Sequence, residues 1–316
     1  MTFSSSHGAL RRISRRSVLG LGALAGLGSL VACATPAGPT AARSGTTAPE
    51  PTAPARIVTL DPFSTYNLLD LGLEPVAVQE GLESVINPKY ADAYRTITKA
   101  GTYFEPNFEA IAASAPDLIL ASTGQGEFET ELAKVATTVL ITGTTSSTWR
   151  QAAGEVATAV RRTEQMAELE KAYETRAAEI KQNRAAVLDS YTWAMVWQGK
   201  AESFSLRSAK SNGGQVLELA GVKYNAATQK ADGDADTVLS WEQIEQLRDA
   251  DAICLPGTTT GAPNEATELI KATKVFQSLP AAKAGRVFVF DYMTPGSYLN
   301  ATQLLEEFDA ALGTLA

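Results

Sequence analysis

Aromatic, amide and cationic side chains recur in loops beside the predicted strands and helices of this chain. Tyr103, Gln125 and Arg207 offer a phenolic oxygen, an amide and a guanidinium, and the large side chains that accompany them are Phe63, Phe104, Trp197, Tyr292 and Met293. Aromatic faces suit a large, flat, partly apolar ligand, and a guanidinium can hydrogen-bond its anionic oxygens. We therefore predict that these residues bind a ligand. Packing is the alternative for Phe63, Trp197 and Met293, and a solvated loop charge is the alternative for Arg207.

The sequence lacks the residues on which common catalytic and metal sites depend. Its only His is His7, in a segment that we expect to be removed, which disfavours a His-dependent triad and a His-rich zinc site. Gly124-Gln125-Gly126 lacks the third glycine of a dinucleotide-binding loop. We therefore expect no enzyme, no intrinsic cofactor and no bound metal. A cofactor-holding domain and a structural or adhesion protein remain alternatives.

Composition disfavours nucleic acid as a partner and disfavours sites that are built from cysteines. The 316 residues carry a formal net charge of −8, which disfavours a nucleic-acid-binding surface. Two Cys are too few for a disulfide scaffold or a Cys-based metal site. Cys254 lies in an apolar, strand-like run, which predicts a buried and inert thiol.

Residues 1–32 have the composition of an export signal. Arg15 and Arg16 match the twin-arginine pattern, and the apolar run Val18–Leu30 follows them. As a helix this run reaches only ~20 Å, short of the ~30 Å hydrocarbon core of a bilayer. The sequence Leu30-Val-Ala-Cys33 looks like a bacterial lipobox, so we expect Cys33 to be lipidated and to hold the protein on the extracytoplasmic face of the cell membrane. A cleaved signal with an incidental Cys is the alternative.

Residues 33–55 are nearly all Ala, Pro, Thr, Gly and Ser, a composition that cannot form a core. We interpret them as a flexible tether between the membrane and the folded part of the chain.

From Arg56 onward, apolar strand-like runs alternate with helical patterns. Residues 56–147 show this rhythm, and residues 189–316 show it again from the run Thr192–Trp197. Alternation of this kind predicts parallel sheets with helices on both faces. Two α/β lobes, each Rossmann-like, are therefore expected.

Residues 148–188 have helical spacing of apolar side chains and connect the two lobes. The sequence Arg162-Thr-Glu164 predicts a break, so we expect a short helix and then one of roughly 24 residues, ~36 Å long. A stiff helical connector favours lobes that are held nearly fixed and close only slightly on a ligand.

Four motifs and this layout resemble one protein family. The motifs are Arg56-Ile-Val-Thr-Leu-Asp-Pro62 with Leu71-Gly-Leu-Glu-Pro-Val76, Glu105-Pro-Asn-Phe-Glu-Ala-Ile111 with Pro116-Asp-Leu-Ile-Leu120, Gly213-Gly-Gln-Val-Leu-Glu-Leu-Ala-Gly221, and Gln277-Ser-Leu-Pro-Ala-Ala-Lys-Ala-Gly-Arg-Val287. Together they resemble the substrate-binding lipoproteins of ABC importers for iron–siderophores, heme and cobalamin, over residues 55–316. The resemblance implies two lobes joined by a backbone helix, a ligand cleft between them and a monomeric protein.

The resemblance also implies a role for two glutamates, one in each lobe. In the family, acidic residues at the positions of Glu109 and Glu218 dock onto arginines of the permease. A helix-start preference for Glu109 and a solvated helix face for Glu218 are the alternatives. Exposed ion pairs of this kind contribute only about 0–1 kcal/mol each, so they set register more than affinity.

The cargo that this resemblance implies is a ferric siderophore. Tyr103 stands where ferrichrome-type binders of the family have an arginine, and Gln125 stands where they have a tyrosine, which disfavours ferrichrome itself. Because a siderophore already fills the coordination of iron, the protein needs no metal ligands. Heme is an alternative, since heme binders of the family use a tyrosine ligand from a nearby loop, and cobalamin is another.

Overall fold

The computed structural model describes residues 53–231, 233 and 237–316. The predicted export signal, Cys33 and residues 34–52 of the predicted tether lie outside these ranges. Within them, no helix combines the length and the apolar character needed to cross a membrane.

Five parallel strands form the first sheet, in the order β3-β2-β1-β4-β5. In chain order its elements are β1 (Ile57–Thr59), α1 (Pro62–Asp70), β2 (Ala77–Val78), α2 (Ala91–Thr96), β3 (Thr98–Lys99), α3 (Phe108–Ala113), β4 (Leu118–Ser122), α4 (Glu129–Leu132) and β5 (Thr137–Ile141). The central strands β1 and β4 are buried along their whole length, as their apolar sequences predict. We call this part of the chain the N-terminal lobe.

Local sequence explains where the helices of this lobe begin. Asp61 caps α1, because its Oδ1 accepts a hydrogen bond from Ser64 N at 2.9 Å, and Pro62 occupies the first turn. Asn107 caps α3 in the same way, accepting from Ala110 N at 3.0 Å. Burial raises the pKa of Asp61 to about 6, although its hydrogen bonds from Ser64 and Phe63 oppose that rise.

Three helices connect the two sheets: α5 (Trp149–Ala159), α6 (Thr163–Asn183) and α7 (Ala185–Ser190). The predicted break before Thr163 is confirmed, and Arg161 turns the chain there with a positive φ of 57°. The length prediction was wrong in detail, because α6 has 21 residues and ends at Asn183. Arg184 leaves helical geometry at φ −108° and separates α6 from the short α7.

The second sheet has the order β11-β10-β6-β7-β9, with β8 also paired to β6. Its elements, which we call the C-terminal lobe, are β6 (Thr192–Gly199), β7 (Ser203–Leu206), α8 (Asn212–Leu219), β8 (Lys223–Tyr224), α9 (Ala226–Lys230), β9 (Thr237–Ser240), β10 (Ala252–Pro256), α10 (Glu265–Ala272), α11 (Lys274–Gln277), α12 (Pro280–Lys283), β11 (Val287–Phe290) and α13 (Tyr298–Gly313). Strands β6, β8, β10 and β11 run parallel, whereas β7 is antiparallel to both β6 and β9. Cys254 is buried in β10, as its apolar surroundings predict.

The fold-class prediction of two mainly parallel α/β lobes with a helical connector is confirmed. The antiparallel ribbon of β7 and β9 was not predicted. We expected Arg207 to lie in a loop, and the strand that precedes it was missed although Ser203-Phe-Ser-Leu206 alternates polar and apolar residues, as half-buried strands do. In the structure β7 pairs with β6 through a tight turn and also hydrogen-bonds to β9.

Helix α13 is the element that connects both lobes to the connector. Its Tyr298 meets Trp149 of α5 and Tyr173 of α6, with ring centroids 5.2 and 5.6 Å away. Further along, Asp309 accepts hydrogen bonds from Arg176 and Arg184, both at 2.6 Å. An aromatic cluster and an ion-pair network therefore fix α13 against the connector.

The N-terminal end of α13 also holds the two lobes together. Asp70 of α1 accepts a hydrogen bond from Leu299 N at 3.0 Å, and Asn87 donates to Asn300 Oδ1 at 3.1 Å. Asn67 donates to Gly296 O at 2.9 Å, just before the helix. We call these three contacts the lobe joint. Burial raises the pKa of Asp70, and its hydrogen bonds from Leu299 N, Ser297 and Tyr90 oppose that rise.

The ion-pair network of Asp309 gives a stability prediction. We expect Asp309→Ala to lower the free energy of unfolding by about 1–2 kcal/mol, because two partly buried arginines lose a shared partner. Urea unfolding measures this change. The control is Asp92→Ala, which breaks an ion pair with Arg95 whose side chains are 94% and 74% exposed and should cost less than about 0.5 kcal/mol. Equal losses in the two variants would contradict the importance of the network.

Candidate functional site

A cavity of about 210 Å³ lies between the lobes. Ser84 and Val85 line it from the N-terminal lobe, and the C-terminal lobe contributes Trp197 of β6 together with the loops that follow β10 and β11. Loops at the carboxyl ends of parallel strands form the ligand sites of open α/β sheets. Thr259 closes one side, since its hydroxyl donates to Ser84 O at 3.1 Å and Ile86 O at 2.9 Å across the lobes.

Arg207 lies over the indole ring of Trp197. Its guanidinium carbon is 4.6 Å from the ring centroid, and its Nη2 donates to Ser146 Oγ at 3.1 Å. Ser146 in turn donates to Asn212 Oδ1 at 3.0 Å. A cation stacked on one face of an indole and hydrogen-bonded at its tip is well fixed in position. The predicted residues Trp197 and Arg207 are therefore brought together beside the cavity.

Tyr292 and Met293 follow β11 and line the same cavity. Met293 is only 1% exposed and belongs to the central core, so the packing interpretation and the cavity-lining interpretation both apply to it. Tyr292 is half-buried, and this burial raises the pKa of its hydroxyl, with Glu307 and Asp291 adding to the effect. Phe63 packs against the central core and approaches Gly296 of the neighbouring lobe, which agrees with the packing alternative.

Tyr103 and Phe104 form a separate patch on the N-terminal lobe. The Tyr103 hydroxyl donates to Ser122 Oγ at 3.1 Å, and Ser122 Oγ lies 2.8 Å from Thr144 Oγ1. Phe104 is 80% exposed and meets the Tyr103 ring edge-on at 5.0 Å between centroids. A phenylalanine this exposed beside a fixed tyrosine is typical of a binding surface. Neither residue lines the cavity.

Gln125 lies beneath this patch and not on it. The side chain is 1% exposed, its Nε2 donates to Tyr103 O at 2.8 Å and Leu60 O at 3.0 Å, and its Oε1 accepts from Ser122 N at 3.0 Å. Every polar atom of the amide is therefore used within the protein. The structure thus corrects the expectation of a direct ligand contact: Gln125 positions the Tyr103 loop, a role that depends on main-chain groups distant in sequence.

The structure adds cavity residues that the sequence analysis did not select. Thr258 and Thr259 follow β10, and Asp291 follows β11. Ligand residues are expected in loops that follow parallel strands, as for Tyr292 and Met293, and the same reasoning applies to these three positions. Ser84 and Val85 had no comparable signal, because they lie well after the short strand β2 in a loop of irregular composition.

Glu307 of α13 supports the loop that carries Asp291 and Tyr292. Its carboxylate accepts hydrogen bonds from the main-chain N–H groups of Asp291 at 3.1 Å and Tyr292 at 3.3 Å. The cavity wall is thereby connected to the helix that also forms the lobe joint.

The two glutamates expected to face a permease are both exposed. Glu109 is in the first turn of α3, and Glu218 is near the end of α8. Lys181 and Lys223 border the same shallow surface depression as Glu218. Across the residues that the structure describes, no group of three or more His, Cys, Asp and Glu is placed to hold a metal ion.

A comparison of the sequence with protein-family models gives a match that agrees with this two-lobe fold. The model described as periplasmic binding protein matches residues 57–292, a range that contains both sheets. The chain belongs to the periplasmic binding protein family.

Named relatives and solved structures are similar along most of the chain. The siderophore periplasmic binding protein from the fuscachelin gene cluster of Thermobifida fusca is 30% identical, with a TM-score of 0.73 over 84% of this chain and 98% of that one. The petrobactin-binding protein YclQ of Bacillus subtilis is 24% identical over 275 residues, 84% of each protein. SirA of Staphylococcus aureus, solved with staphyloferrin B, shares the fold with a TM-score of 0.68 and 23% identity over 83% of this chain and 94% of that one.

Glu307 gives a pH-dependence prediction. Burial raises its pKa to about 7, which the hydrogen bonds from Tyr292 and Asp291 only partly offset. A carboxyl with a raised folded-state pKa stabilises the fold below its unfolded pKa, and that contribution is lost as the pH rises through about 7. We expect the free energy of unfolding to fall between about pH 5 and pH 8, by less than about 1.4 kcal/mol per pH unit for this one group.

Urea unfolding of Glu307→Gln at several pH values measures this contribution. The variant should show a shallower decline than the wild type, with a smaller residual slope from Asp61 and Asp70, whose pKa values are also raised. Glu164→Gln, at an exposed position on α6, is the control and should keep the wild-type decline. A Glu307→Gln profile parallel to that of the wild type would contradict this assignment.

Proposed function

We propose that this protein captures a ferric siderophore outside the cytoplasm and delivers it to the permease of an ABC importer. The observation that carries the proposal is the cavity between the lobes, lined by aromatic, hydroxyl and amide groups at the carboxyl ends of the strands. Family membership supports it, as do relatives whose names specify siderophores.

The chemistry of the site supports a metal that arrives already chelated. Free metal ions need several His, Cys or carboxylate ligands converging on one point. A ferric siderophore supplies those ligands itself and needs only packing and hydrogen bonds from the protein. Trp197, Tyr292 and Met293 offer packing, and Arg207 offers hydrogen bonds to anionic oxygens.

Tyr103 and Phe104 extend the proposed site onto the N-terminal lobe. The exposed ring of Phe104 offers an apolar face to a chelate that is larger than the cavity, and the fixed Tyr103 hydroxyl offers a polar contact. Heme is the second candidate cargo, because a tyrosine phenolate can bind heme iron and Tyr103 is a half-buried tyrosine on this surface.

We also propose how the protein is located. Lipidation of Cys33 after twin-arginine export would anchor a monomer to the outer face of the cell membrane through the tether of residues 33–55. Anchoring keeps captured cargo near the permease, and it raises the effective concentration of the loaded protein there.

Fluorescence quenching tests the cargo assignment. The purified protein is titrated with a panel of ferric siderophores, with heme and with cobalamin, and Trp197 at the cavity should report binding. Saturable quenching at sub-micromolar concentration by one class of ferric siderophore is expected. Quenching by heme or cobalamin alone would transfer the assignment to that cargo, and no response across the panel would contradict it.

The docking role of the two glutamates gives a second prediction. We expect Glu109→Lys with Glu218→Lys to reduce uptake of labelled cargo by cells at least about tenfold, because two register-setting contacts become repulsive. Cargo affinity of the purified variant should be unchanged. The control is Glu74→Lys with Glu265→Lys, which reverses one exposed charge in each lobe outside α3 and α8. Normal uptake by the first variant would contradict the docking role.

A further inference from the structure

The cavity between the lobes carries a negative charge, which is unusual for a site that receives an anionic chelate. Asp291 contributes a carboxylate to its lining, and none of the described residues that line it is Lys, Arg or His. Arg207 does not line the cavity. It lies over the ring of Trp197, which does. The described lining therefore carries one negative charge, on an exposed side chain, and favours cations over anions.

The carboxylate of Asp291 is fixed before any ligand binds. Its Oδ1 accepts a hydrogen bond from Thr258 N at 3.1 Å. Gly257 leaves room for it, since a Cβ at that position would collide with Oδ1. The main-chain N–H of Asp291 donates to Glu307 Oε1, which fixes the backbone as well. A carboxylate held through one oxygen retains the acceptor capacity of the other.

The size of the cavity restricts what enters it. Its volume of about 210 Å³ is smaller than the roughly 300–1,000 Å³ of pockets that enclose whole drug-sized ligands. It therefore accommodates a side arm of the cargo and not the complete chelate. The aromatic rings of Trp197 and Tyr292 line it together with Asp291, a combination that suits an alkyl chain ending in a cation.

We propose that the cavity binds a positively charged arm of the siderophore, an ammonium or guanidinium group, with Asp291 as its partner. This inference rests on the proposed function and specifies its substrate class. The iron-bearing part of the same cargo lies outside the cavity, on the side of Arg207. The site thereby favours a chelate with a cationic arm and disfavours a polyanionic one, whose arm would meet the carboxylate of Asp291.

Two probes with the same iron centre test this selectivity. Ferrioxamine B is a linear trihydroxamate with a primary ammonium at one end, and N-acetylation of that amine removes the charge while the chelate is kept. We expect the wild-type protein to bind ferrioxamine B about tenfold more tightly than the acetylated form, because the acetylated arm leaves Asp291 without its cation. Equilibrium fluorescence titration of both chelates measures the ratio.

The variant Asp291→Asn identifies the residue responsible. Asn keeps an oxygen for the hydrogen bond from Thr258 N but loses the charge, so the affinity ratio should fall to about one. Glu164→Gln makes the same change in net charge on α6, away from the cavity, and should keep the tenfold ratio. Higher salt should reduce the ratio in the wild type and leave it unchanged in Asp291→Asn.

Each other outcome overturns the inference. Equal wild-type affinity for the two probes, or a preference for the acetylated one, would overturn it while leaving siderophore binding intact. A tenfold ratio that persists in Asp291→Asn would assign the preference to other residues. Binding of neither probe would also overturn it, and the wider panel of siderophores, heme and cobalamin would then decide separately whether the proposed function stands.

Discussion

The packing of α13 against the connector is the interaction on which the rest of the structure depends. Tyr298 anchors this helix in an aromatic cluster with Trp149 and Tyr173, and Asp309 anchors it through Arg176 and Arg184. Because α13 also carries Glu307, the wall of the cavity is attached to the same rigid unit. Displacement of α13 would therefore disturb the core, the lobe joint and the binding site together.

Two kinds of contact hold the lobes, and they differ in physical character. The contacts around α13 and the connector include a buried apolar core, which resists separation, besides the hydrogen bonds of the lobe joint. The contacts that Thr259 makes across the cavity are hydrogen bonds between loops. Hydrogen bonds of this kind contribute little net free energy, so these contacts add less to the association of the lobes than the buried core does.

Much of the fold could be predicted from the sequence, because the central strands are continuous apolar runs and the helix caps are local. Asp61 and Asn107 mark helix starts by residue type alone. The ribbon of β7 and β9 could not be predicted in this way, since its stability comes from pairing between segments distant in sequence.

The residues of the candidate site also divide into those that the sequence predicts and those that only the structure reveals. Tyr292 and Met293 follow from the rule that loops after parallel strands form binding sites, and Trp197 lies near the carboxyl end of β6 itself. Gln125 shows the limit of that rule: its position in the loop is correct, but its amide serves main-chain groups of Leu60 and Tyr103. Which polar groups a side chain meets is determined by tertiary structure, and residue type alone does not reveal it.

The lobe joint has a consequence for the energetics of cargo capture. Its contacts join Asn67, Asp70 and Asn87 to main-chain and side-chain groups of the other lobe, so protein atoms alone complete them. Conformational selection reduces the apparent affinity of a ligand in proportion to the rarity of the competent state. The joint is formed without cargo, so its contacts are already ordered when the cargo arrives. The binding free energy of the cargo is therefore not spent on ordering them.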